Sequence, residues 1–157
     1  MKAIKKVLNN IFIDGLSGMA LGLFSTLIIG TILKQIGDLT GGTYGTYLSV
    51  FAVVAQRLTG AGIGIGVAYK FRESTYVLLS AAAAGMIGAY ASNLIAGTLL
   101  SDTGALVLSG SGEPLGAFVA AYVGITIGRL VAGKTKLDLL ITPAITILSG
   151  GAVGILV

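Results

Sequence analysis

The chain of 157 residues has no cysteine, no histidine, no tryptophan and only two prolines, and charged residues make up 10% of it. Without Cys or His it has no disulfide, no thiol nucleophile, no imidazole base and none of the commonest transition-metal ligands. No metal and no cofactor is therefore expected. Soluble domains carry about 25% charged residues, so this chain cannot cover itself with a hydrated surface. Its formal net charge of +4 is small, and its placement matters more than its size. It gives no reason to expect a nucleic-acid partner.

What the chain does have is apolar length and glycine. Hydrophobic residues make up 55% of it, glycine accounts for 25 positions, and the mean hydropathy is +0.97. Apolar runs near 20 residues read as transmembrane helices. About five can be drawn: Ile11–Leu33, Tyr44–Tyr69, Thr75–Leu100, Leu115–Val131 and Leu139–Val157. The expected fold is all-α, a polytopic transmembrane helical bundle forming a single domain over residues 1–157. Lys and Arg collect on the cytoplasmic side of membranes. Lys2, Lys5, Lys6, Lys70, Arg72, Arg129, Lys134 and Lys136 fall on one side and only Lys34 on the other. This predicts a plasma (inner) membrane protein with a cytoplasmic N-terminus and its C-terminus on the outer side. The first run is too long for a signal peptide and has no clean small-residue cleavage site, so it reads as a retained helix. Lys2–Asn10 can lie on the membrane surface, with Ile4, Val7 and Leu8 on one face. Asp14 is expected to cap a helix start or to pair with a lysine.

Small residues recur at four-residue spacing, which puts each set on one helix face and permits close backbone approach. The rows are Gly18 and Gly22, Gly60 and Gly64, Gly62 and Gly66, Gly116 through Ala120 and Gly124 to Gly128, and Gly150 and Gly154. The glycines after Thr59 do not make a dinucleotide fingerprint, which needs a preceding strand.

Arg57 is the most informative position. A charge near a helix centre costs roughly 2.5–3.5 kcal/mol by insertion measures, and such residues usually face a protein interior or a watery cavity. Gln56 precedes Arg57, and a glycine-rich stretch from Gly60 follows it. The segment is either one tilted helix or two half-helices meeting near Arg57–Gly60, whose free backbone ends can bind polar groups. Asn93 is a second polar group in an apolar run, and hydrogen bonding to a neighbouring helix explains it better than a site does. Ser101–Pro114 reads either as a re-entrant hairpin or as an outer loop. Pro114 suits a helix first turn, and Glu113 before it lies where the helix dipole favours an anion. If the segment is re-entrant, Glu113 approaches Arg57. The candidate solute-binding residues are Gln56, Arg57, Thr59, Gly60, Asn93, Gly112 and Glu113.

Four stretches carry a resemblance: Phe12–Phe24, Leu58–Gly60 with its following glycines, Pro114–Ala121, and Gly133–Asp138 through Thr142-Pro143 to Ser149–Gly151. In order and spacing they resemble the second type of phosphotransferase-system IIC component, including perfringolysin O regulator-like proteins. Family members are longer, and the chain resembles their N-terminal half. It departs from them at Thr59-Gly60-Ala61, where they usually carry Thr-Gly-Pro, and in a longer Ser92–Gly112 region. The resemblance implies uptake of a sugar or other small polar solute. Gln56 and Arg57 would donate hydrogen bonds, Glu113 would accept them, and backbone near Gly60 and Gly112 would complete the site. With no His or Cys to carry phosphate, the chain itself is not expected to be an enzyme, and any phosphorylation would fall to separate cytosolic phosphotransferase proteins. An odd number of spans fits one half of an inverted-repeat transporter, or else a subunit of an oligomer built from further copies. A membrane-embedded regulatory scaffold and an oligomeric channel are the other readings.

Overall fold

In lipid the backbone has no water to bond, so each apolar segment must satisfy its own N–H and C=O groups, and a helix does this locally. A computed structural model, which describes residues 1–157, is helical throughout with a single isolated β-bridge, Leu100 to Leu106. Helix α1 runs over Lys2–Thr40, 39 residues. It is interrupted by two π-type segments, Asn10–Gly15 and Phe24–Ile28. A turn at Gly41 and Gly42, both at positive φ, leads into α2 (Gly42–Arg57). Helix α3 (Thr59–Lys70) follows after one non-helical residue, Leu58, and is bent 52° from α2. Then come α4 (Thr75–Ala89), the short α5 (Ala91–Ile95), α6 (Pro114–Val131) and α7 (Asp138–Leu156).

The middle of α1, with α3, α4, α6 and α7, forms the core, and glycine sets the helix spacing. A Cβ on Gly18 would stand 2.5 Å from the Gly66 carbonyl oxygen, and Gly22 meets the Gly62 backbone in the same way. The other face of α3 turns Gly60 and Gly64 toward Gly85 and Ala81 of α4. The α6 row also packs as its spacing predicts: Gly116 lies against Gly88, Ala120 against Gly150 and Gly154, and Gly124 and Gly128 against Thr146. Close helix approach through small residues supplies the packing that lipid, being as apolar as the core, cannot drive by exclusion.

These contacts fix levels in the bundle. Gly60 touches Ala89, and Gly88 touches Gly116. The α2–α3 break, the end of α4 and the start of α6 therefore share one end of the core. Glu73 pairs with Arg129 at the opposite end, where the antiparallel contact of α1 with α3 also brings Lys2, Lys5 and Lys6. The eight basic residues grouped by sequence thus gather at a single end. Beyond the break, the last turns of α1 (Ile29–Thr40) and α2 pack on each other as a hairpin, with Gly37 against Gly45. This arm leaves Tyr44, Tyr47, Phe51 and Val54 exposed.

The span count differs from the expected five. Three helices are long and apolar enough to cross a membrane, and a fourth crossing needs the bent α2–α3 pair to act as one span. Helix α4 has 15 residues, about 22 Å at 1.5 Å per residue, short of a hydrocarbon core of about 30 Å. The expected run Thr75–Leu100 ends early because Tyr90 leaves helical geometry, at φ −112° and ψ 19°. Its apolar continuation becomes α5 and a loop. The first span is longer than the expected Ile11–Leu33, since residues 2–10 and 34–40 continue it at both ends. Asp14 lies inside the first π-type segment, so it caps nothing, and neither of the chain's ion pairs includes it. Residues 101–113 form a mostly exposed loop, in which Leu108 packs against the core, as Leu99 does just before it.

Candidate functional site

The site builds up from the break at Leu58. A bend there interrupts the regular helical ladder, and side-chain hydroxyls supplement the backbone bonds that remain. The Thr59 hydroxyl donates to the Gln56 carbonyl at 2.6 Å. The Tyr90 hydroxyl lies 3.2 Å from the Arg57 carbonyl oxygen and 2.8 Å from that of Gly110. The Leu58 N–H is shared between the Val54 and Ala55 carbonyls at 3.2 and 3.3 Å. Hydroxyl groups thus help to cap the sharp turn at Leu58.

Helix α1 answers the break with one of its own. The π-type segment Phe24–Ile28 holds Thr26, whose hydroxyl donates to the Gly22 carbonyl at 2.7 Å and lies 3.4 Å from the Thr59 hydroxyl. Such segments widen a helix by one residue and occur often at functional sites. A little further along, the Gln56 side-chain amide donates to the Thr31 hydroxyl at 3.2 Å, and its methylene packs against Gly30. Thr26, Thr31, Gln56 and Thr59 thus form a polar seam between α1 and the break. Thr59 is buried at 1% exposure, whereas the Arg57 side chain is exposed. The chain's two ion pairs are Lys34 with Asp38 and Arg129 with Glu73, so Arg57 has no carboxylate partner.

The Gly110–Glu113 turn reaches the same level. Gly112, at φ 74°, tucks against Ala89, and the Glu113 N–H donates to the Ala89 carbonyl at 2.7 Å. Ala89 and Tyr90 therefore tie the turn and the break together through backbone groups. The charged ends do not meet. The exposed Glu113 side chain lines a separate small cavity of about 140 Å³ with Ser92, Gly116 and Gly154. Gln56, Arg57, Thr59, Gly60, Gly112 and Glu113 are thus gathered at one end of the core, and Asn93 stands apart. Its side chain donates from α5 to Thr98, five residues further along the chain, at 3.3 Å. Sequence reasoning missed Thr26, Thr31 and above all Tyr90. The threonines sit in a run whose helical pattern looked unbroken, and Tyr90 in an apolar run reads as an interface aromatic. No three acidic side chains come together where they could hold a metal ion.

At the opposite end, Arg129 pairs with Glu73 and lies over the Phe71 ring, 5.4 Å from its centroid. Phe71 meets Tyr122 edge-on at 5.9 Å. Burial pushes the Glu73 carboxyl above its usual range, opposed by the charge of Arg129 and its hydrogen bond.

A glycine-packed helical bundle with apolar spans and a bent helix pair is the architecture of a helical membrane protein. The chain matches the family described as "Phosphotransferase system, EIIC" over residues 13–157, and it belongs to that family. No curated protein and no solved structure matches it.

Proposed function

We propose that this chain carries a small hydroxylated solute, a sugar in the first instance, and binds it at the α2–α3 break. The observation that carries the reading is Arg57, a guanidinium without a carboxylate partner beside a bend whose carbonyls accept hydroxyls from Thr59 and Tyr90. With the backbone capped, side chains are free to meet a solute. Arg57, Gln56 and Thr31 offer donors, Thr26 and Thr59 offer hydroxyls, and Glu113 offers an acceptor from the adjoining turn. Sugar hydroxyls both donate and accept, so a mixed array of this kind suits them. The chain supplies positioning and passage only. Phosphorylation of the solute belongs to cytosolic phosphotransferase proteins acting at the basic end, which is cytoplasmic in an inner-membrane protein of this charge pattern. The single domain acts either as half of an inverted-repeat transporter or as a subunit among further copies.

The test replaces Arg57 with Leu and measures equilibrium binding of a radiolabelled sugar panel to purified protein, with gel filtration as the control for assembly. Loss of binding by at least ten-fold with an unchanged elution profile supports the proposal. If wild-type protein binds no sugar in the panel, or R57L binds as well as wild type, the regulatory-scaffold and channel readings take its place.

A further inference from the structure

The first two turns of α1 have no role in the seam, and nothing in the chain holds them. None of Lys2–Asn9 is buried. Lys2, Lys5, Lys6 and Asn9 form a polar stripe on a concavity of about 400 Å³ that Asn10 and Asp14 complete. None of the three lysines takes part in an ion pair. Ile4, Val7 and Leu8 are 65%, 51% and 46% exposed, leaving an apolar strip with no protein partner. In water an uncovered apolar strip is a cost, and in hydrocarbon three lysines are. The headgroup boundary is the one environment that suits both faces, and a helix with basic and apolar faces binds there. The strip also lies at the end of the bundle where Lys70, Arg72, Arg129, Lys134 and Lys136 collect, so the local field favours an anion.

We propose that this stripe is a binding site for the phosphate of an anionic glycerophospholipid, whose acyl chains lie along Ile4, Val7 and Leu8. Free phosphate has the same anionic chemistry but leaves the apolar strip uncovered, which is why the lipid is the assigned ligand. Asp14, at the rim, repels phosphate and bounds the site on the core side. The three lysines point to recognition by charge at a surface, worth roughly five-fold in affinity for each lysine near an anionic leaflet.

Native mass spectrometry of the full chain, titrated with phosphatidylglycerol or phosphatidylcholine, tests this. Wild-type protein is expected to retain phosphatidylglycerol over phosphatidylcholine. The triple variant K2Q/K5Q/K6Q should lose most of that preference, and K34Q, in the arm beyond the opposite end of the core, should keep it. All four positions are solvent-exposed, and circular dichroism checks that the helices persist. Inorganic phosphate at millimolar concentration should not displace the lipid. Unchanged phosphatidylglycerol retention in the triple variant overturns the proposal. So does displacement by inorganic phosphate, which would make this a simple anion site.

Discussion

The buried Tyr90 hydroxyl holds the Arg57 carbonyl at 3.2 Å from a position 33 residues further along the chain. Tyr90 is 1% exposed, and its second contact, to Gly110, makes it a tie between three segments: the α2–α3 break, the end of α4 and the turn before α6. A single hydroxyl thus sets the position of the seam relative to Glu113.

Replacing Tyr90 with Phe keeps the ring and removes the tie. The two carbonyls that share its single proton then lose that donor in a place water reaches poorly, a cost of about 1–3 kcal/mol. Thermal unfolding in detergent should show that loss. Solute affinity should fall in the same variant, because the turn carrying Glu113 is no longer fastened to the break. Unchanged unfolding would mean the hydroxyl bonds are not maintained in solution.

Glycine packing gives a graded prediction. At Gly64 an added methyl runs into the Ala81 backbone, whereas at Gly151 it meets the Ile87 side chain at 3.3 Å. Backbone cannot step aside, but a side chain can change rotamer. Gly64→Ala should therefore destabilise by about 1–3 kcal/mol, the range for overpacking, and Gly151→Ala by much less. Unfolding midpoints of the two variants, measured side by side, decide it.

The ion pair at the basic end makes stability depend on pH with an unusual sign. An ordinary paired carboxylate has a lowered pKa and stabilises more as pH rises. Burial raises the pKa of Glu73 despite Arg129, so the folded state binds its proton more tightly than the unfolded chain, where the value is about 4.3. Stability from this group is full below the unfolded pKa and is lost as pH rises through the folded one. A series of unfolding midpoints from about pH 4 upward should fall for wild type and flatten for Glu73→Gln.

How much of this was legible in the sequence depended on whether the signal was local. Composition and hydropathy gave the class, and four-residue spacing gave the faces on which Gly62, Gly66, Gly116 and Gly124 pack, since a helix repeats whatever its neighbours are. The bend near Arg57 was one of two readings open for that segment, suggested because a charge and a glycine cluster adjoin. Hydropathy could not end α4 at Ala89, because Leu94, Ile95, Leu99 and Leu100 continue the apolar run after Tyr90 has left helical geometry. Nor could it find the pairing of Thr26 with Thr59, 33 residues apart. That contact depends on an extra residue in one turn of α1, which spacing does not reveal.

Thr59 offers the sharpest test of the break itself. Its hydroxyl satisfies the Gln56 carbonyl at 2.6 Å and faces Thr26. Valine has nearly the same shape but cannot donate. In Thr59→Val the carbonyl keeps only a backbone N–H at the helix end and loses its short hydroxyl bond. That removes one of the contacts that favour the bend over α2 continuing into α3 through a regular i to i+4 bond. The bend should then open from 52° toward a straight helix. Spin labels placed on exposed Phe51 of α2 and exposed Tyr69 of α3, in a background checked for folding, report this as a longer mean distance by pulsed dipolar spectroscopy. Solute affinity should drop with it, since straightening moves Gln56 away from Thr31. A distance that stays fixed while binding falls would instead assign the Thr59 hydroxyl a direct role as a ligand of the solute.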